Sequence, residues 1–579
     1  MYAKKWSLPS IILLLCLSLV ALGETGQFYD EVYDESGKPR PYYIDAAKAF
    51  EEMSEKERAK FREETMREFR GRNAINPLPR ILTESERNEV TKGARQRARA
   101  LQAFLEDHYS GKQTYRNKVI PDSIIEELLD RTGERALEPY LTKKESRKFR
   151  YIYGPDLIRD KEGTWRVLED NLGYVGGMGD LLRARALWEK RMPEISAGLE
   201  KTNEPNQFYD QIIGRFQEQA KPKLSDTGGA FVVWAPGNYG DSEEMDLHDI
   251  LKGRGATLVT PHTRNKKIVV KKDGAYLEIR NENGNVKLRK KIGFLYLNAE
   301  HTDFEWNHPA LREKALLMEA NDILDDKGVK KKKRAAVIKA LERDPVTRKI
   351  DLVALEKAID NAEGTYLRSA SSRQQSLIPG LFDAILDGRV QTNYTPGMEF
   401  LGDKMFHSYV EDLIRFYLNE EPILRNAVSE RFVDLKDGKP VFKDELHKEI
   451  AENREQWVLK TVDGRGGDGV WVGPKVSDKE WASVLEKVKE QPSRYISQQF
   501  THLSVHGDSI VDLRALTIVD ETGKMISSNT PWARSIRMEG GDGKVNLSLN
   551  GSENAVIVVP DGFSCQQNFA KVAPRRPKK

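Results

Sequence analysis

A strand, a glycine-rich loop and a second strand follow one another in residues 456–473, which read QWVLKTVDGRGGDGVWVG. Glycines adopt positive φ at little steric cost and, lacking a Cβ atom, let backbone N–H groups approach phosphate oxygens closely. Lys460 lies on the first strand, where its ammonium group can face the same phosphates. The segment therefore predicts a phosphate-binding flap, and the alternative is an ordinary hairpin with a flexible tip.

The loop from Gly464 to Gly469 also fits the pattern G-x-G-x-x-G, which is weak evidence when it stands alone. A dinucleotide-binding loop needs a helix after the glycines, whereas a strand follows here. A Walker loop would end in Gly-Lys-Ser/Thr, which is absent, and a protein kinase places its lysine after the loop rather than before it. Neither the His-Arg-Asp nor the Asp-Phe-Gly motif of kinases occurs. These three nucleotide-binding classes are therefore disfavoured.

A predicted hairpin in residues 146–172 carries the second chemical motif. Its strands are rich in β-branched and aromatic residues and are separated by the turn sequence DKEG. Glu169 and Asn171 share one face because strand side chains repeat every two residues, and Asp156 can lie opposite them. Two carboxylates and an amide suit Mg²⁺, which keeps water and nucleotide phosphates at its other positions. The trio predicts a magnesium site, and a solvent-exposed acidic face is the alternative.

At 579 residues the chain is too long for one compact core, and its patterns divide it into segments. Strand 230–235, a helix and strand 257–259 predict a βαβ unit. The predicted segments are a signal peptide at 1–23, a helical N-terminal region at 24–145, the hairpin segment at 146–195, the βαβ-containing unit at 225–305, a charged helical insertion at 309–376, the region with the glycine loop at 378–560, and a basic tail at 561–579.

The charge balance does not favour nucleic acid as a partner. Lys and Arg exceed Asp and Glu by a formal net charge of +3, and 32% of the residues are charged. One basic run, KKKKR at 330–334, interrupts this balance. A run of this kind is usually a solvated helix end or loop, and a nucleic-acid patch is the alternative.

The N-terminus has the layout of a secretory signal. Lys4 and Lys5 precede an apolar run at 11–22 that is too short to span a bilayer. We expect cleavage near Gly23, export to the periplasm and no transmembrane span in the mature chain. The alternative is an uncleaved N-terminal anchor or a cytoplasmic protein. With Cys16 inside the signal, Cys565 is left alone, so the mature chain forms no internal disulfide.

Together these motifs resemble the circularly permuted ATP-grasp family, type 2. Glu169 and Asn171 come long before Lys460, whereas the metal-binding Glu-x-Asn comes last in ordinary ATP-grasp ligases. The stretches that carry the resemblance are FYDEVYDESGKPRPYY (28–43), PLPRIL (77–82), KGARQRARALQAFLEDHY (92–109), YGPDLIRDKEGTWRVLEDNLG (153–173), WAPGNYGDSEEMDLHDIL (234–251), IPGLFDAILDGRV (378–390), GDKMFHSYVEDLIRFYL (402–418), LKTVDGRGGDGVWVGP (459–474), YISQQF (495–500) and VDLRAL (511–516).

The resemblance implies an α/β fold with two ATP-grasp sub-domains, a Rossmann-like pre-ATP-grasp unit at 225–305 and a helical N-terminal region. It assigns the site residues as follows: Lys404 and Lys460 to the nucleotide phosphates; Gly464, Gly466, Gly467 and Gly469 to the flap that closes over them; Gln498 or Gln499 to adenine; Arg514 to the γ-phosphate and the acyl phosphate; Asp156, Glu169 and Asn171 to Mg²⁺; and, more weakly, Arg534 and Asn546 to the last strands.

The implied function is an ATP-dependent carboxylate–amine ligase that works through an acyl phosphate. Its cofactors would be ATP and Mg²⁺, and its partners a small-molecule or peptide carboxylate and an amine acceptor. The signal peptide favours a rival, because ATP is scarce outside the cytoplasm. That rival is a catalytically inactive, exported protein of the same fold that binds a nucleotide or a peptide.

Overall fold

The structure is a computed structural model, and it describes residues 28–68, 73–142, 149–173, 175–220, 229–235, 242–260, 263–297, 378–437, 439–462, 469–500, 503–538 and 551–565. The helices in these ranges are α1 (Ile44–Glu52), α2 (Glu55–Glu68), α3 (Glu84–Tyr109), α4 (Asp122–Thr132), α5 (Glu138–Leu141), α6 (Asp180–Arg191), α7 (Pro193–Gly198), α8 (Pro205–Ala220), α9 (Ser242–Gly253), α10 (Leu381–Leu386), α11 (Lys404–His407), α12 (Val410–Leu413), α13 (Asp444–Glu452) and α14 (Asp478–Glu490).

The strands in the same ranges are β1 (Ala74–Ile75), β2 (Arg80–Thr83), β3 (Tyr151–Arg159), β4 (Trp165–Leu172), β5 (Ala230–Trp234), β6 (Thr257–Val259), β7 (Lys266–Lys271), β8 (Gly274–Arg280), β9 (Val286–Leu297), β10 (Arg425–Asn426), β11 (Ser429–Arg431), β12 (Val433–Lys436), β13 (Lys439–Phe442), β14 (Trp457–Thr461), β15 (Val470–Val472), β16 (Tyr495–Gln499), β17 (Val505–His506), β18 (Ser509–Arg514), β19 (Thr517–Val519), β20 (Met525–Ser527), β21 (Trp532–Arg537), β22 (Ser552–Asn554) and β23 (Val556–Val559).

Ten of the described strands form one large mixed sheet. Its main path runs β1-β22-β21-β18-β3-β19-β20, while β4 pairs with β3 and β10, and β17 pairs with β18. Strand β3 is central, because β4 flanks it on one side and β18 and β19 share the other. Every residue of β3 is buried. The hairpin β3–β4 and strand β18, which are far apart in sequence, therefore become neighbours.

The predicted hairpin forms as β3 and β4, joined by a tight turn. The N–H of Asp160 donates to the carbonyl of Thr164 at 3.0 Å, and the N–H of Gly163 donates to the carbonyl of Asp160 at 2.9 Å. Gly163 has φ of +78°, and a Cβ atom there would lie 2.4 Å from the ring of Tyr29. Both the backbone conformation and the space therefore require glycine at this turn.

The long helix α3 packs against the central strand of the sheet. It begins with a capping box in which the Thr83 side chain accepts from the Glu86 N–H and the Glu86 side chain accepts from the Thr83 N–H. The hydroxyl of Tyr151 on β3 donates to the Ala98 carbonyl of the helix at 2.9 Å. The buried positions of α3 are mostly apolar but include Arg97. The helix thus brings one charged side chain into the core behind the hairpin.

The predicted βαβ unit forms from β5, α9 and β6. Strands β5 and β6 are parallel, and β9 pairs parallel with β5 on its other side. Strands β8 and β7 extend the sheet antiparallel, which gives the order β6-β5-β9-β8-β7. Phe216 of α8 stacks on Phe294 of β9 with ring centroids 3.6 Å apart. Helix α8 therefore packs on this second sheet.

The glycine-motif strands become β14 and β15 of a four-stranded sheet with the order β11-β16-β14-β15. Ile450 of α13 and Trp481 of α14 pack with Leu459 of β14 in one apolar cluster. The indole N–H of Trp481 donates to the Ile450 carbonyl at 3.4 Å. The strands on either side of the predicted flap therefore belong to a sub-domain with its own core.

A buried ionic cluster docks the N-terminal arm, residues 28–43. The Glu31 carboxylate lies 2.5 Å from Arg80 of β2 and 3.3 Å from Arg159 of β3. Arg159 also pairs with Glu86 of α3. One carboxylate therefore connects the arm to the hairpin and to the start of α3.

Several predicted features lie outside the described residues: the signal peptide at 1–23, the insertion at 309–376 with its KKKKR run, and most of the basic tail. Across the part of the chain that the structure describes, no helix is both long enough and apolar enough to cross a membrane. Helices and sheets are mixed as predicted. The segment boundaries read from the sequence stay predictions.

Stability should depend on pH through His506, which is fully buried and lies 3.0 Å from the Pro79 carbonyl through Nε2. Burial, reinforced by the charge of Arg80, lowers the pKa of His506 to about 3. The pKa in an unfolded chain is about 6.5, so as pH falls below that value only the unfolded chain takes up this proton. We predict that His506 removes about 1.4 kcal/mol of stability per pH unit as pH falls through this window.

Urea unfolding between about pH 6.5 and 4 measures this dependence. The variant His506→Gln keeps an N–H donor for the Pro79 carbonyl but does not titrate, so its stability should fall less steeply with decreasing pH than that of the wild type. Equal pH dependence in the two proteins would show that His506 does not carry the effect.

Candidate functional site

The register of β3 and β4 places the three predicted magnesium ligands on one face. Asp156 lies directly opposite Glu169, and Gly154, at the next position on the same face, lies opposite Asn171. The amide of Asn171 approaches the Glu169 carboxylate at 3.4 Å. The register shifts immediately after Asp156, a bulge of the kind that re-aims side chains next to functional sites. Glu169 and Asn171 are half-buried, whereas Asp156 is 5% exposed.

Asp156 is enclosed because two arginines bind its carboxylate. Arg514 on β18 donates from Nε to Oδ1 at 2.5 Å and from Nη2 to Oδ2 at 2.8 Å. Arg534 on β21 donates from Nη2 to Asp156 Oδ2 at 2.9 Å. Arg534 also binds Asp512 of β18, with donor–acceptor distances of 3.1 and 2.5 Å. These four side chains, Asp156, Asp512, Arg514 and Arg534, are called the ionic quartet below.

Opposite charges compensate one another in the ionic quartet. Burial alone would raise the pKa of Asp156, but Arg514 and Arg534 outweigh it and hold that pKa well below its ordinary range. Burial raises the pKa of Asp512 against the opposing charge of Arg534. The pKa of Arg534 is raised, because its two carboxylate partners outweigh its own desolvation. Asp156 is therefore the ionised group on which both arginines converge.

The oxygen atoms on this face fit a hard divalent cation. Glu169 and Asn171 supply a carboxylate and an amide oxygen, and Mg²⁺ takes such ligands while keeping waters and phosphate oxygens. Among the residues that the structure describes, no three acidic, His or Cys side chains form a metal-binding group by themselves. Asn171, water and a nucleotide would therefore have to complete the shell. Asp156 can join it once its oxygens leave the arginines, and the predicted trio stays a prediction.

Lys460 and Gln498 meet on one face of the four-stranded sheet. Gln498 lies opposite Val458, so Lys460, at the next alternate position, projects from the same face. The ammonium group of Lys460 donates to Gln498 Oε1 at 2.5 Å, and Gln498 is buried. Gln499 is exposed and belongs to the opposite face. Of the two glutamines that the sequence left open for adenine, Gln498 is the one beside the lysine.

Gly469 closes the described end of the flap. The Thr461 N–H donates to the Gly469 carbonyl at 2.8 Å, which begins the pairing of the two flap strands. Gly469 has φ of +68°, and a Cβ atom there would lie 2.1 Å from the Thr461 hydroxyl. Glycine is therefore required at this position. The predicted flap residues Gly464, Gly466 and Gly467 lie outside the described residues, as does Asn546.

The short helix α11 places Lys404 between the ten-stranded sheet and the four-stranded sheet. The backbone N–H of Lys404 donates to the Val462 carbonyl, just past β14, at 3.4 Å. Helix α11 also packs against β4 and β16. Asp403 caps the helix by accepting from the Met405 N–H at 2.8 Å and pairs with Arg131 of α4 at 2.8 Å. Lys404 therefore lies between the strand of the predicted magnesium ligands and the sheet of Lys460.

Asp170, on the opposite face of β4 from the predicted magnesium ligands, is the centre of a second buried network. Arg97 of α3 donates to both carboxylate oxygens, at 2.9 and 2.6 Å. The Tyr153 hydroxyl donates to the same carboxylate, and Nδ1 of His407 on α11 lies 2.6 Å from it. Burial alone would raise the pKa of Asp170, but Arg97 and His407 hold it far below its ordinary range. We call these four residues the Asp170 network.

Sequence reasoning missed the members of the Asp170 network. Asp170 is part of the LEDN stretch, and alternation along β4 implies that it faces away from Glu169 and Asn171 into the core. A buried carboxylate requires a cation, so a partner could have been expected. Arg97 and His407 carry no signal of their own, because each contacts Asp170 only after distant segments fold together.

A family model described as circularly permuted ATP-grasp type 2 matches residues 79–279 and 343–526, about two thirds of the chain. An uncharacterized protein of Synechocystis sp. strain PCC 6803 is 26% identical over 518 residues, which cover 85% of this chain and 89% of that protein. A Frankia alni protein provisionally named glutamate–cysteine ligase 2-3 is 26% identical over 496 residues, which cover 83% of this chain and 47% of that protein. This chain thus spans about half the length of the Frankia protein.

Among solved structures, a glutathione synthetase-like effector of Globodera pallida in its apo form aligns with a TM-score of 0.45 and 8% identity. The alignment covers 83% of this chain and 89% of that chain. A γ-glutamylcysteine synthetase structure from Methylobacillus flagellatus, also provisionally named, aligns with a TM-score of 0.26 and 12% identity over 73% of this chain and 84% of that chain.

The Asp170 network should contribute strongly to stability. We predict that Asp170→Asn lowers the free energy of unfolding by about 3–5 kcal/mol, because it leaves the Arg97 guanidinium buried without its counter-charge. Thermal or urea unfolding measures the change. Glu63→Gln is the matched control: it also removes a carboxylate from an arginine pair, but that pair with Arg67 is exposed on α2, so stability should change little. An Asp170→Asn variant as stable as the control would contradict the assignment.

Proposed function

Because the chain belongs to the circularly permuted ATP-grasp family, type 2, we propose that it is an ATP-dependent ligase that joins a carboxylate to an amine through an acyl phosphate. Membership of the family confirms the resemblance and the mixed helix-and-sheet fold class that the motifs predicted. The provisionally named glutamate–cysteine ligase from Frankia supports the coarser statement, an ATP-dependent amide ligase.

One structural observation supports this proposal above the others. Two distant parts of the chain meet at α11: the hairpin with its oxygen ligands packs on one side, and the sheet with Lys460 packs on the other. Site geometry does not depend on chain order, so a permuted chain can enclose one nucleotide between these halves. Lys404 and Lys460 would neutralise its phosphates, and Gln498 would contact adenine.

Glu169 and Asn171, joined by Asp156, would hold the magnesium ion. When bound, magnesium offsets the charge of the phosphoryl oxygens and polarises the group that is transferred. The guanidinium of Arg514 lies on the same face, opposite Asp156. There it would stabilise the negative charge that builds as the phosphoryl group moves.

The proposed chemistry has two steps that use these positions. A carboxylate oxygen of the substrate attacks the γ-phosphorus of ATP, the bond to the bridging oxygen breaks, and ADP leaves. The amine nitrogen then attacks the acyl carbon, inorganic phosphate leaves with the bonding electrons, and the nitrogen loses a proton. The flap strands β14 and β15 would exclude water from the acyl phosphate between the two steps.

We predict that ATP labelled with oxygen-18 at the β–γ bridge exchanges its label when the protein is given a carboxylate but no amine. The exchange requires reversible transfer of the phosphoryl group to the carboxylate, and adding an amine should convert it to net release of ADP and phosphate. Glutamate and cysteine are the first pair to test, because the Frankia relative bears their names.

Release of ADP that does not depend on any carboxylate would contradict the acyl-phosphate route. The rival function, an inactive exported protein of the same fold that binds a nucleotide or a peptide, predicts neither isotope exchange nor ADP release, whether or not ATP binds. The same experiment therefore separates the two functions, provided that nucleotide binding is measured alongside it by calorimetry.

We also predict that Lys460→Ala weakens binding of Mg–ADP by at least about tenfold, because hydrogen bonds from a charged group contribute about 1.5–3 kcal/mol. Isothermal titration calorimetry measures the affinity. Lys448→Ala is the control, since Lys448 is an exposed lysine on α13 of the same sub-domain. Equal affinity in the two variants would remove Lys460 from the nucleotide site.

A further inference from the structure

The ionic quartet places two predicted functions in direct contact. Asp156 is a predicted magnesium ligand and Arg514 a predicted phosphate ligand, yet they bind each other through two hydrogen bonds. The quartet contains two carboxylates and two guanidinium groups, so its charges balance without any ligand. Asp156, Asp512 and Arg514 are buried, and the side chain of Arg534 is 12% exposed. A cation at Asp156 or an anion at Arg514 therefore competes with a partner that is already present.

We propose that Asp156 is an exchangeable counter-ion: it neutralises Arg514 and Arg534 in the free protein and passes to magnesium when the metal–nucleotide complex binds, which releases Arg514 for phosphate. This inference rests on the proposed nucleotide site. It states which charged groups of that site exchange partners when the ligands bind. Metal binding and phosphate binding then stabilise each other at this site.

The free-energy cost of an unpaired buried charge explains why metal binding and phosphate binding depend on each other. If the metal alone took Asp156, two guanidinium groups would share the single carboxylate of Asp512. If phosphate alone bound Arg514, it would compete with Asp156, which already occupies the guanidinium. Uncompensated charge in a buried place is expensive, so each ligand should bind weakly without the other. When both ligands bind, the metal pairs with Asp156 and the phosphate pairs with Arg514, so the charges stay balanced.

The two arginines are not equivalent, and Arg514 is the one that becomes available to phosphate when Asp156 leaves. Arg534 keeps two bonds to Asp512 after losing Asp156. Arg514 keeps a bond from Nη1 to the Gly176 carbonyl at 3.2 Å. The indole ring of Trp532 lies 5.3 Å from the guanidinium carbon of Arg514 and 4.9 Å from that of Arg534. This ring gives both cations a favourable surface that does not depend on Asp156.

The stem of Arg514 packs over Gly154 of the hairpin, beside the side chain of Val175. A Cβ atom on Gly154 would lie 3.1 Å from Cδ of Arg514, so glycine leaves room for the arginine stem to cross β3. Gly154 lies opposite Asn171 in the sheet. The side chain that exchanges partners therefore already passes over the position next to the predicted metal ligands.

Calorimetry on the full chain tests the exchange with the ATP analogue AMP-PNP, once with Mg²⁺ and once with EDTA. In the wild type, Mg²⁺ should raise affinity within the range of about 5–150-fold that is typical of coupling between sites. The variant Asp156→Asn should bind AMP-PNP more tightly than the wild type in EDTA, because the arginines are free, and less tightly in Mg²⁺. General damage to the fold would lower both affinities.

The matched control is Glu169→Gln, which alters a predicted metal ligand without touching the arginines. It should lose the gain from Mg²⁺ and keep the wild-type affinity in EDTA. Weaker binding of AMP-PNP in EDTA by correctly folded Asp156→Asn than by the wild type would overturn the exchange. If the wild type bound no AMP-PNP in both conditions, with Mg²⁺ and with EDTA, that result would instead overturn the proposed function.

A second measurement needs no nucleotide and keeps the inference testable if Asp156→Asn does not fold. Binding of Mn²⁺ alone, followed by electron paramagnetic resonance, reports on the metal ligands. In Arg514→Gln the Asp156 carboxylate loses its main partner, so Mn²⁺ should bind at least about fivefold more tightly than to the wild type. The added Glu169→Gln change should cancel that gain. Equal or weaker Mn²⁺ binding by Arg514→Gln would contradict the exchange.

Discussion

The salt bridge between Arg97 and Asp170 is the interaction on which the geometry of the candidate site depends. Strand side chains alternate, so fixing Asp170 in the core fixes Glu169 and Asn171 on the other face of the same strand. The Asp170 carboxylate also binds His407, three residues after Lys404 on α11. A single buried charge therefore sets the strand of the predicted metal ligands against the helix of a predicted phosphate ligand. Breaking such a pair is costly, which makes the arrangement rigid.

The two faces of the β3–β4 hairpin use buried charge in different ways. On the core face, Asp170 is paired with Arg97, Tyr153 and His407, all of which come from the protein. On the other face, Asp156 and Arg514 are groups whose chemistry also suits magnesium and phosphate. The core face holds the hairpin rigidly in place. The other face carries charged side chains that can exchange their partners for magnesium and phosphate. Because β18 pairs with β3, both kinds of group lie on one sheet although the chain order is permuted.

The sequence predicted local structure well because the signals were local. The DKEG turn, the alternation that puts Glu169 and Asn171 on one face, and the two paired strands of the flap depend on residues close in the chain, and the structure contains them. The register that sets Asp156 opposite Arg514 depends on the pairing of β3 with β18, which alternation within either strand does not encode. Arg514, which the resemblance assigns to the γ-phosphate, is 8% exposed and binds the Asp156 carboxylate.

Both halves of the permuted chain are proposed to bind one metal–nucleotide complex. A crystal structure with AMP-PNP and Mn²⁺ tests this proposal most directly, because anomalous scattering locates the metal. We expect a metal peak bonded to Glu169, Asn171 and phosphate oxygens at roughly 2.0–2.3 Å, with Lys460 on the same phosphates and Asp156 turned from Arg514 to the metal. A nucleotide bound away from the hairpin, or a metal that does not contact Glu169, would show that the two halves do not share one site.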